Sequence, residues 1–484
     1  MKRVLAGARL LGRDSLVDIT VDDERITAVA PAGAGAPIGE RVELDGRVVV
    51  PGLWDNHVHF TQWTLTTRRL DLAAARSAAE VARLVAERIG SGDTDGIVGF
   101  GFRDGLWPDA PDRTTLDAVS GPAPVVLVSG DLHSAWLNSA ALHAHGFDDH
   151  PTGLLREDDV FAVVRAIGDV PDAVLDGWAQ EAAAAAAARG VVGIVDLEMT
   201  WNPDVWVRRI RGGVRSLRVE FGIYRQHLDD AIAAGLRTGD VVQGTDGLLR
   251  VGPFKIITDG SLNTRTAYCF DPYPGLTGDE AYGLLTVPPD ALVPLLQTAR
   301  DAGLRPAVHA IGDQANTLAL DAFETLGVGG SIEHAQLLGG TDVSRFAALG
   351  VTASVQPEHA MDDRDVADRY WAGRTDRAFV LRSLLDSGAV LALGSDAPVA
   401  PLDPWVGIAA AVGRTRDGRA PWHPEQAITV QEAVAASART SVAVGEPADL
   451  AILDADPLQA ATDELRSLPV AATLLGGRFT HTVL

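Results

Sequence analysis

The stretch PGLWDNHVHF, residues Pro51 to Phe60, carries two histidines at the end of a short apolar run. The run predicts a strand that ends in His57-Val58-His59. Residues two apart on a strand point to the same face, so both imidazoles project together. Such a pair can bind a metal ion, because imidazole suits zinc, copper, iron and nickel. The alternative is a surface strand that contains two histidines by chance. Residues elsewhere in the chain must decide between a metal-binding strand and a surface strand.

The composition is typical of a large globular protein. The 484 residues, 46% hydrophobic and 22% charged, leave room for more than one domain. A net charge of −24 argues against nucleic acid or an anionic membrane as a partner. No apolar run reaches the ~18 residues of a membrane span. The first apolar run is interrupted by Arg9 and Arg13, so we expect no signal peptide and a cytoplasmic location.

The counts of cysteine and lysine limit the chemistry. Cys269 is the only cysteine, which excludes an intramolecular disulfide and a cysteine-based zinc cluster. Any metal site must therefore use histidines, carboxylates or modified side chains. The chain has 39 arginines but only two lysines, Lys2 at the terminus and Lys255 in the interior. A lysine amine is nucleophilic when burial lowers its pKa, which arginine cannot match. Chance retention of Lys255 is the alternative.

From about residue 175 onward, apolar strands alternate with helices that end at a glycine. This alternation predicts a parallel sheet covered on both faces. Eight βα units favour a closed (β/α)8 barrel. A doubly wound sheet is the alternative, but no Gly-rich phosphate fingerprint follows any strand. The predicted strands begin near Leu53, Val191, Leu217, Val251, Arg305, Ser331, Val351 and Val390. The predicted helices include Trp178 to Arg189, Leu292 to Ala302, Val343 to Leu349 and Ala378 to Ser387.

The two chain ends predict a second domain. Residues 1–52 and 440–484 both contain short alternating strands separated by turn residues. We expect them to pair into one β-sandwich, with the barrel of residues 53–439 between them. Residues from about 61 to 170 are too long for a simple connection. They predict an inserted α+β subdomain that covers the site, and the overall class is α/β.

The barrel prediction brings scattered polar residues to one rim. Catalytic groups of such barrels lie at the C-terminal ends of the strands. Any one of these polar residues could be an ordinary side chain at a strand end. Their predicted location at one rim is what indicates a functional site. The predicted rim residues are His57 and His59 on strand one, Lys255 on strand four, His309 on strand five, His334 on strand six and Asp396 on strand eight.

These residues lie in motifs that extend over nearly the whole chain, in order PGLWDNHVH, GDLHSAWLNSAAL, FKIITDGSLNTRTA, AVHAIGDQA, IEHAQ, GSDAPVAPLDPW and ADLAILDADPL. Together they resemble the amidohydrolase superfamily and, within it, the YtcJ-like group called amidohydrolase family 3. The resemblance also implies the sandwich built from both ends. The chain departs from the family pattern at SVAVGEPADL, where the turn is shorter than usual. This turn belongs to the β-sandwich and not to the predicted metal site.

The resemblance implies a divalent metal centre with zinc as the default ion. Its implied ligands are His57, His59 and Asp396 for one ion, and His309 and His334 for a second. Lys255 would bridge the two as a carbamate formed with CO2. Some relatives use a single ion, so the count stays open between one and two.

The implied activity is hydrolysis. A metal lowers the pKa of bound water from about 15.7 to about 7. Asp396 then acts as general base and afterwards as general acid. The second ion or His133 polarises the scissile carbonyl. Because most amidohydrolases release an amine, the expected reaction is cleavage of an amide-type, non-peptide C–N bond in a small molecule.

Three residues are candidate substrate contacts: Trp107, His133 and Arg265. His133 and Trp107 lie in the inserted block, where packing is the alternative role for each. Arg265 follows strand four, where it binds a substrate carboxylate or caps a loop acceptor.

Other functions on the same scaffold stay open. A deaminase or a lactone or ester hydrolase uses the same metal scaffold, and deaminases of the superfamily usually work with one ion and no bridging lysine. A non-catalytic binding or regulatory homologue is a further alternative, although six complete site residues argue against it. The expected partners are a small-molecule substrate and, since barrels of this family often dimerise, a second copy of the chain.

Overall fold

A computed structural model describes residues 2–34, 39–91, 96–102, 104, 107–129, 134–156, 158–168 and 170–484. The chain forms two compact units. One is the segment Thr64–Trp178, and the other combines the segments before and after it. Strands and helices are numbered in chain order. Within the described ranges, no helix is both long and apolar enough to cross a lipid bilayer.

Eight parallel strands form the nearly closed barrel that the sequence predicts. Most residues of each of the eight strands are buried, as expected for a parallel sheet covered on both faces. Every strand begins within two residues of its predicted start. The strands, in their order around the sheet, are β6 (Leu53–Val58), β12 (Val191–Asp196), β13 (Arg218–Tyr224), β14 (Leu249–Ile257), β15 (Pro306–Ala310), β16 (Gly330–His334), β17 (Val351–Val355) and β18 (Leu391–Leu393).

The barrel closes between the end of β6 and the segment after β18. The backbone N–H of Asp396 donates to the carbonyl of His57 at 2.7 Å, and that of His59 donates to the carbonyl of Ala397 at 2.8 Å. Gly394 permits this approach, because a Cβ there would lie only 2.7 Å from the backbone nitrogen of His57. The closing hydrogen bonds therefore fix the two segments that carry three of the predicted metal ligands.

Helices cover the outside of the barrel and bury apolar faces against the strands. Gly350 ends α11 with a φ of +62°, the left-handed cap expected there. Thr429 and Glu432 form a capping box at the start of α15. The helices of this unit, including two that extend into the segment Thr64–Trp178, are α1 (Phe60–Thr66), α6 (Asp172–Ala187), α7 (Asn202–Arg211), α8 (Leu228–Ala233), α9 (Pro289–Asp301), α10 (Asp313–Leu326), α11 (Val343–Leu349), α12 (Pro357–Tyr370), α13 (Leu381–Asp386), α14 (Pro404–Gly413), α15 (Val430–Ala436) and α16 (Thr462–Arg466).

Three of the four predicted helix starts differ from the structure. Helix α6 begins at Asp172, six residues before the predicted Trp178, and it runs through Gly177 despite the low helix propensity of glycine. Helix α9 begins at Pro289 rather than Leu292, with a proline in its first turn. Helix α13 begins at Leu381 rather than Ala378. A short 3-10 turn at Thr375–Arg377 and a positive φ of 52° at Phe379 occupy the preceding segment.

The two chain ends combine in one eight-stranded sheet, as predicted. Strand order is β21-β20-β19-β5-β1-β2-β3, with β4 also paired to β1. Apolar side chains from both chain ends share one core, including Leu5, Ile19 and Leu450. The strands are β1 (Arg3–Leu10), β2 (Leu16–Asp22), β3 (Arg25–Pro31), β4 (Glu40–Glu43), β5 (Val48–Pro51), β19 (Leu450–Leu453), β20 (Val470–Leu475) and β21 (Arg478–Thr482).

The segment Thr64–Trp178 contains a five-stranded sheet with its own apolar clusters, one of them built around Trp136 and Phe102. The sheet order is β11-β10-β9-β8-β7. Its strands are β7 (Leu70–Asp71), β8 (Ile97–Phe102), β9 (Val125–Ser129), β10 (Ser134–Leu137) and β11 (Leu154–Arg156). The remaining helices are α2 (Ala78–Gly90), α3 (Arg113–Ser120), α4 (Ser139–His145) and α5 (Asp158–Gly168).

Candidate metal centre

A cavity of about 380 Å³ lies at the C-terminal ends of the barrel strands. All six predicted metal-site residues line it, together with one further histidine, His359. The strand ends supply these side chains because parallel strands present their carboxyl ends at one rim. The six predicted residues are His57, His59, Lys255, His309, His334 and Asp396.

His57, His59 and Asp396 form one group with the spacing of metal ligands. The Nε2 atoms of both histidines lie 3.4 Å from Oδ1 of Asp396. Two ligands of a tetrahedral zinc ion, with bonds of about 2.05 Å, lie about 3.3 Å apart. Burial alone would raise the pKa of Asp396, but the surrounding imidazoles lower it well below its usual range.

Glu333 fixes the orientation of the His57 ring. Its Oε2 lies 2.8 Å from Nδ1 of His57, and its Oε1 accepts a hydrogen bond from Ser331 at 2.5 Å. A proton on Nδ1 leaves the Nε2 lone pair directed at the cavity, which is the tautomer that a metal ligand requires. Burial would raise the pKa of Glu333, but the hydrogen bond from His57 and the nearby Lys255 lower it to about 2.

A second group of possible ligands contains His334, His359 and again Asp396, with ligand atoms within 4.8 Å of one another. Nε2 of His359 lies 3.8 Å from Oδ2 of Asp396, the oxygen that the first group does not contact. The backbones of His334 and Asp396 have φ angles of +76° and +58°. Positive φ is uncommon for residues other than glycine, and such conformations are concentrated at functional sites.

Lys255 and His309 lie beside this second group. Lys255 is buried on β14, its Nζ has no hydrogen-bond partner among the described residues, and burial lowers its pKa to about 8. The rings of His309 and His334 have centroids 4.5 Å apart. Nε2 of His309 lies 3.3 Å from Oδ1 of Asp259, whose carboxylate also accepts backbone hydrogen bonds from Ile311.

The residues in the cavity fit a bound cation. Buried polar atoms without a hydrogen-bond partner are rare in folded proteins. Five are found on residues that line the cavity, among those the structure describes: Nδ1 of His59, Nζ of Lys255, Nδ1 of His334, Oε1 of Gln336 and Nε2 of His359. Imidazole nitrogens and a carboxylate are the donor set that zinc and related divalent ions prefer.

A family model described as the amidohydrolase family matches residues 40–481. The chain belongs to the amidohydrolase family. It is a metal-dependent hydrolase of that superfamily, with candidate His and Asp ligands and an α/β barrel that agree with the resemblance seen in the sequence.

Individual relatives agree with this assignment. The chain is 27% identical to a putative amidohydrolase, YtcJ, of Bacillus subtilis, over 92% of this chain and 91% of the relative. It is 25% identical to an N-substituted formamide deformylase of Arthrobacter pascens, over 92% and 90%. An uncharacterized metal-dependent hydrolase of Pyrococcus horikoshii has a solved structure with a TM-score of 0.78 and 25% identity, covering 96% of this chain and 99% of that one.

The predicted substrate contacts of this amidohydrolase have different placements. The Arg265 guanidinium lies 5.5 Å from the ring centroid of Tyr370 and does not line the cavity. Trp107 packs against Phe102 within the segment Thr64–Trp178. His133 lies outside the described residues. The apolar walls of the cavity come instead from Met199, Ile257, Leu262 and Val399.

The sequence analysis missed two residues of the amidohydrolase centre, His359 and Glu333. His359 follows β17, the only barrel strand from six to eight for which no rim residue was predicted. The sequence does contain evidence for a rim residue here, because SVQPEH places a histidine four residues after the strand ends at Val355. Glu333 directly precedes His334, but only the fold brings it to His57.

Proposed function

We propose that this amidohydrolase cleaves an amide-type, non-peptide C–N bond of a small molecule. The observation that carries the proposal is the convergence of His57, His59 and Asp396, with both Nε2 atoms 3.4 Å from one carboxylate oxygen inside a cavity of about 380 Å³. The likeness to a formamide deformylase over nine-tenths of both chains supports this bond type.

The first group of side chains would hold one divalent ion, with zinc as the proposed metal. His309 and His334 belong to the proposed second position. A bound ion supplies Lewis acidity, which polarises the substrate carbonyl and lowers the pKa of water. The Glu333 hydrogen bond keeps the His57 ring in the ligand tautomer.

Asp396 is the proposed proton carrier. Its carboxylate accepts a proton from the attacking water and later donates that proton to the leaving nitrogen, so that an amine departs and a carboxylic acid remains. Two backbone hydrogen bonds join the segment of Asp396 to β6, which holds the carboxylate in place during both transfers. We keep His133 as a proposed carbonyl-polarising and substrate-binding residue, together with Trp107 and Arg265.

Lys255 is the proposed site of a carbamate. Its neutral amine attacks the carbon of CO2, a proton leaves the nitrogen, and the new carboxylate replaces a buried ammonium with an anionic metal ligand. The lack of a hydrogen-bond partner at Nζ supports this, because a buried ammonium without a partner is costly. Arginine cannot undergo the same addition under these conditions.

Purified protein loaded with Zn²⁺ or Mn²⁺ tests the proposal. It is incubated with N-formyl amines, N-acyl amino acids and cyclic amides, and amine and acid products are measured by mass spectrometry. We expect equal amounts of acid and amine from at least one amide class. Asp396→Asn should lower kcat by about 10²–10⁴-fold. His423→Asn is the matched control, because this surface histidine pairs with Glu425 outside the cavity.

Three results would favour the other functions. Release of ammonia from an amino-substituted ring, with a single ion and an unmodified Lys255, would replace the proposal with a deaminase. If the protein hydrolyses only lactones or esters, the proposal that it cleaves an amide-type C–N bond is wrong. A metal-loaded protein that turns over none of these compounds but binds one of them would support a non-catalytic homologue.

We further propose that the partners are a small-molecule substrate and a second copy of the chain, with no nucleic acid or membrane. The net charge of −24 supports the exclusion of polyanions. Light scattering after size exclusion should give about twice the 50.9 kDa of one chain. A mass near that of a single chain would contradict the homodimer.

A further inference from the structure

We infer that the cavity selects amides that carry a protonated amine, and that the carboxylate of Asp363 binds this ammonium group. The inference rests on the proposed function, because it takes an amide as the compound cleaved at the metal centre, and it adds the class of substrate. Amides with a free carboxylate in the place of the ammonium group, such as N-acyl amino acids, would then be poor substrates.

Asp363 lines the cavity from helix α12, one turn after His359. Residues four apart on a helix lie on the same face, with Cβ atoms about 5–6 Å apart. Asp363 is therefore close to the metal centre, yet it belongs to neither group of possible metal ligands. A chain of a few methylene groups spans the distance between a reacting amide and a cation bound at this carboxylate.

The carboxylate of Asp363 has no cationic partner among the described residues. Nδ2 of Asn263 donates to its Oδ1 at 2.6 Å, and its Oδ2 accepts no hydrogen bond from the described part of the chain. The neighbouring Asp362 differs, because Arg416 donates to it at 2.7 Å. Burial raises the pKa of the Asp363 carboxyl, as expected where no cation compensates a partly buried acid. An ammonium group would supply the missing charge and up to three hydrogen-bond donors.

The other residues on this side of the cavity also favour a hydrogen-bond donor over a carboxylate. Gln336 lies beside His359 and is 3% exposed, and its Oε1 has no hydrogen-bond partner within the described structure. No arginine of the described ranges lines the cavity, and the only lysine that does so is the buried Lys255. Arg265, the candidate for a substrate carboxylate, lies over the ring of Tyr370 instead. A substrate carboxylate would therefore find no guanidinium partner here.

The opposite side of the cavity is apolar. Met199 follows the second barrel strand and Ile257 ends the fourth, and both strands lie across the barrel from the seventh, which leads into α12. Met199 is 53% exposed and Ile257 is 37% exposed. Apolar side chains that line a small-molecule cavity contact the apolar part of its ligand. The cavity therefore suits an amide with an apolar group on one side of the scissile bond and an ammonium group on the other.

Three amides of equal length test the inference with the full-length protein loaded with Zn²⁺. They are the hexanoyl amides of 1,4-diaminobutane, pentylamine and 4-aminobutyrate, which end in a cation, a methyl group and an anion. The corresponding formyl amides form a second series. We expect kcat/KM to fall in this order in the series that is cleaved, with the diamine amide about 10-fold above the pentyl amide.

Asp363→Asn separates the charge of this side chain from its shape, because the amide oxygen can still accept the hydrogen bond from Asn263. The variant should raise KM for the diamine amide and bring the ratio of kcat/KM between the diamine and pentyl amides close to one. This ratio does not depend on the fraction of folded protein. Asp363→Glu should keep the preference for the cation. Asp365→Asn is the matched control and should keep the 10-fold ratio, because Asp365 lies on the same helix but pairs with Arg419 at the surface.

The outcomes distinguish the inference from the proposed function. A diamine amide that is cleaved no faster than the pentyl amide, or a preference that survives in Asp363→Asn, would overturn the inference while the proposed function stands. If neither these amides nor those of the wider screen are cleaved, the proposed function fails. Calorimetric binding of the three hexanoyl amides then decides the inference alone. Binding of the diamine amide about 10-fold tighter than the pentyl amide, lost in Asp363→Asn, would support it, and equal binding would overturn it.

Discussion

Oε2 of Glu333 lies 2.8 Å from Nδ1 of His57, so that the sixth strand of the barrel orients a proposed metal ligand on the first. Glu333→Gln keeps the shape of the side chain but removes its negative charge. That charge makes the imidazole of His57 a stronger electron-pair donor to a metal ion. We expect the affinity for the first ion to fall by about 10-fold to 100-fold in a chelator competition.

Glu425→Gln is the matched control for Glu333→Gln. Glu425 forms the same kind of pair with His423 at 2.9 Å, but the glutamate side chain is 59% exposed. Glu425→Gln should leave the affinity for the metal unchanged. Equal affinities in the unaltered protein and Glu333→Gln would contradict an orienting role for the buried glutamate.

The two lysines of the chain permit a direct test of the carbamate. Protein equilibrated with ¹³C-bicarbonate should show one carbamate carbon resonance per chain. Lys255→Arg should remove this resonance, because a guanidinium does not add CO2. Lys2→Arg is the control and should retain it. A spectrum without a carbamate resonance in the unaltered protein would exclude the modification.

Glu358 is expected to contribute strongly to stability. It is buried and accepts hydrogen bonds from Arg416 and Arg466, which join α12 to the end of the chain. Glu358→Gln removes the carboxylate that the two guanidinium groups share, and among the described residues only Arg416 keeps another carboxylate partner at 2.7 Å, that of Asp362. We expect a loss of about 2–3 kcal/mol in urea unfolding.

The exposed pair between Asp365 and Arg419 provides the comparison for Glu358. Asp365→Asn should change the free energy of unfolding by less than about 0.5 kcal/mol, since water screens such pairs. Equal losses in the two variants would show that burial does not distinguish these ion pairs.

Cys269 should be unreactive in the folded protein. Burial raises the pKa of its thiol to about 11, from an ordinary value of 9.0. Folding therefore favours the protonated thiol, and this contribution to stability is complete below pH 9 and is lost as the pH rises through 11. We expect slow reaction with a disulfide reagent at pH 8 and full reaction in denaturant.

Substitution of Cys269 checks the sign of this effect. The stability difference between the unaltered protein and Cys269→Ala should shrink between pH 9 and pH 11. Rapid labelling of the folded protein at pH 8, or a difference that is constant over this interval, would contradict the buried neutral thiol.

Much of the barrel was predictable because its signals are local. Each strand is a short apolar run, and several preceding helices end at a glycine, so the starts agree within two residues. Helix α12 was missed because the polar segment after Val355 contains no apolar stripe strong enough to indicate a helix. The cue was the proline at position 357, which is typical of a first helical residue.

The partners of the site residues were not predictable in the same way. Glu333 and His57 are separated by 276 residues, and only the register between neighbouring strands brings their side chains together. Likewise, only the folded structure shows that Nε2 of His309 faces Asp259, while Nε2 of His359 faces Asp396. Such distinctions of a few ångströms are properties of packing, which a single sequence does not contain.

The sheet shared by both chain ends has a consequence for biosynthesis. Strand β5, which directly precedes the strand of His57, pairs with β19, whose first residue is Leu450. At roughly 5–20 residues per second, a ribosome needs about 20–80 s to deliver that partner. During this interval the edge of β5 that pairs with β19 has no partner strand, close to the proposed ligands His57 and His59. We therefore expect the nascent chain to need chaperone protection and to acquire its metal late.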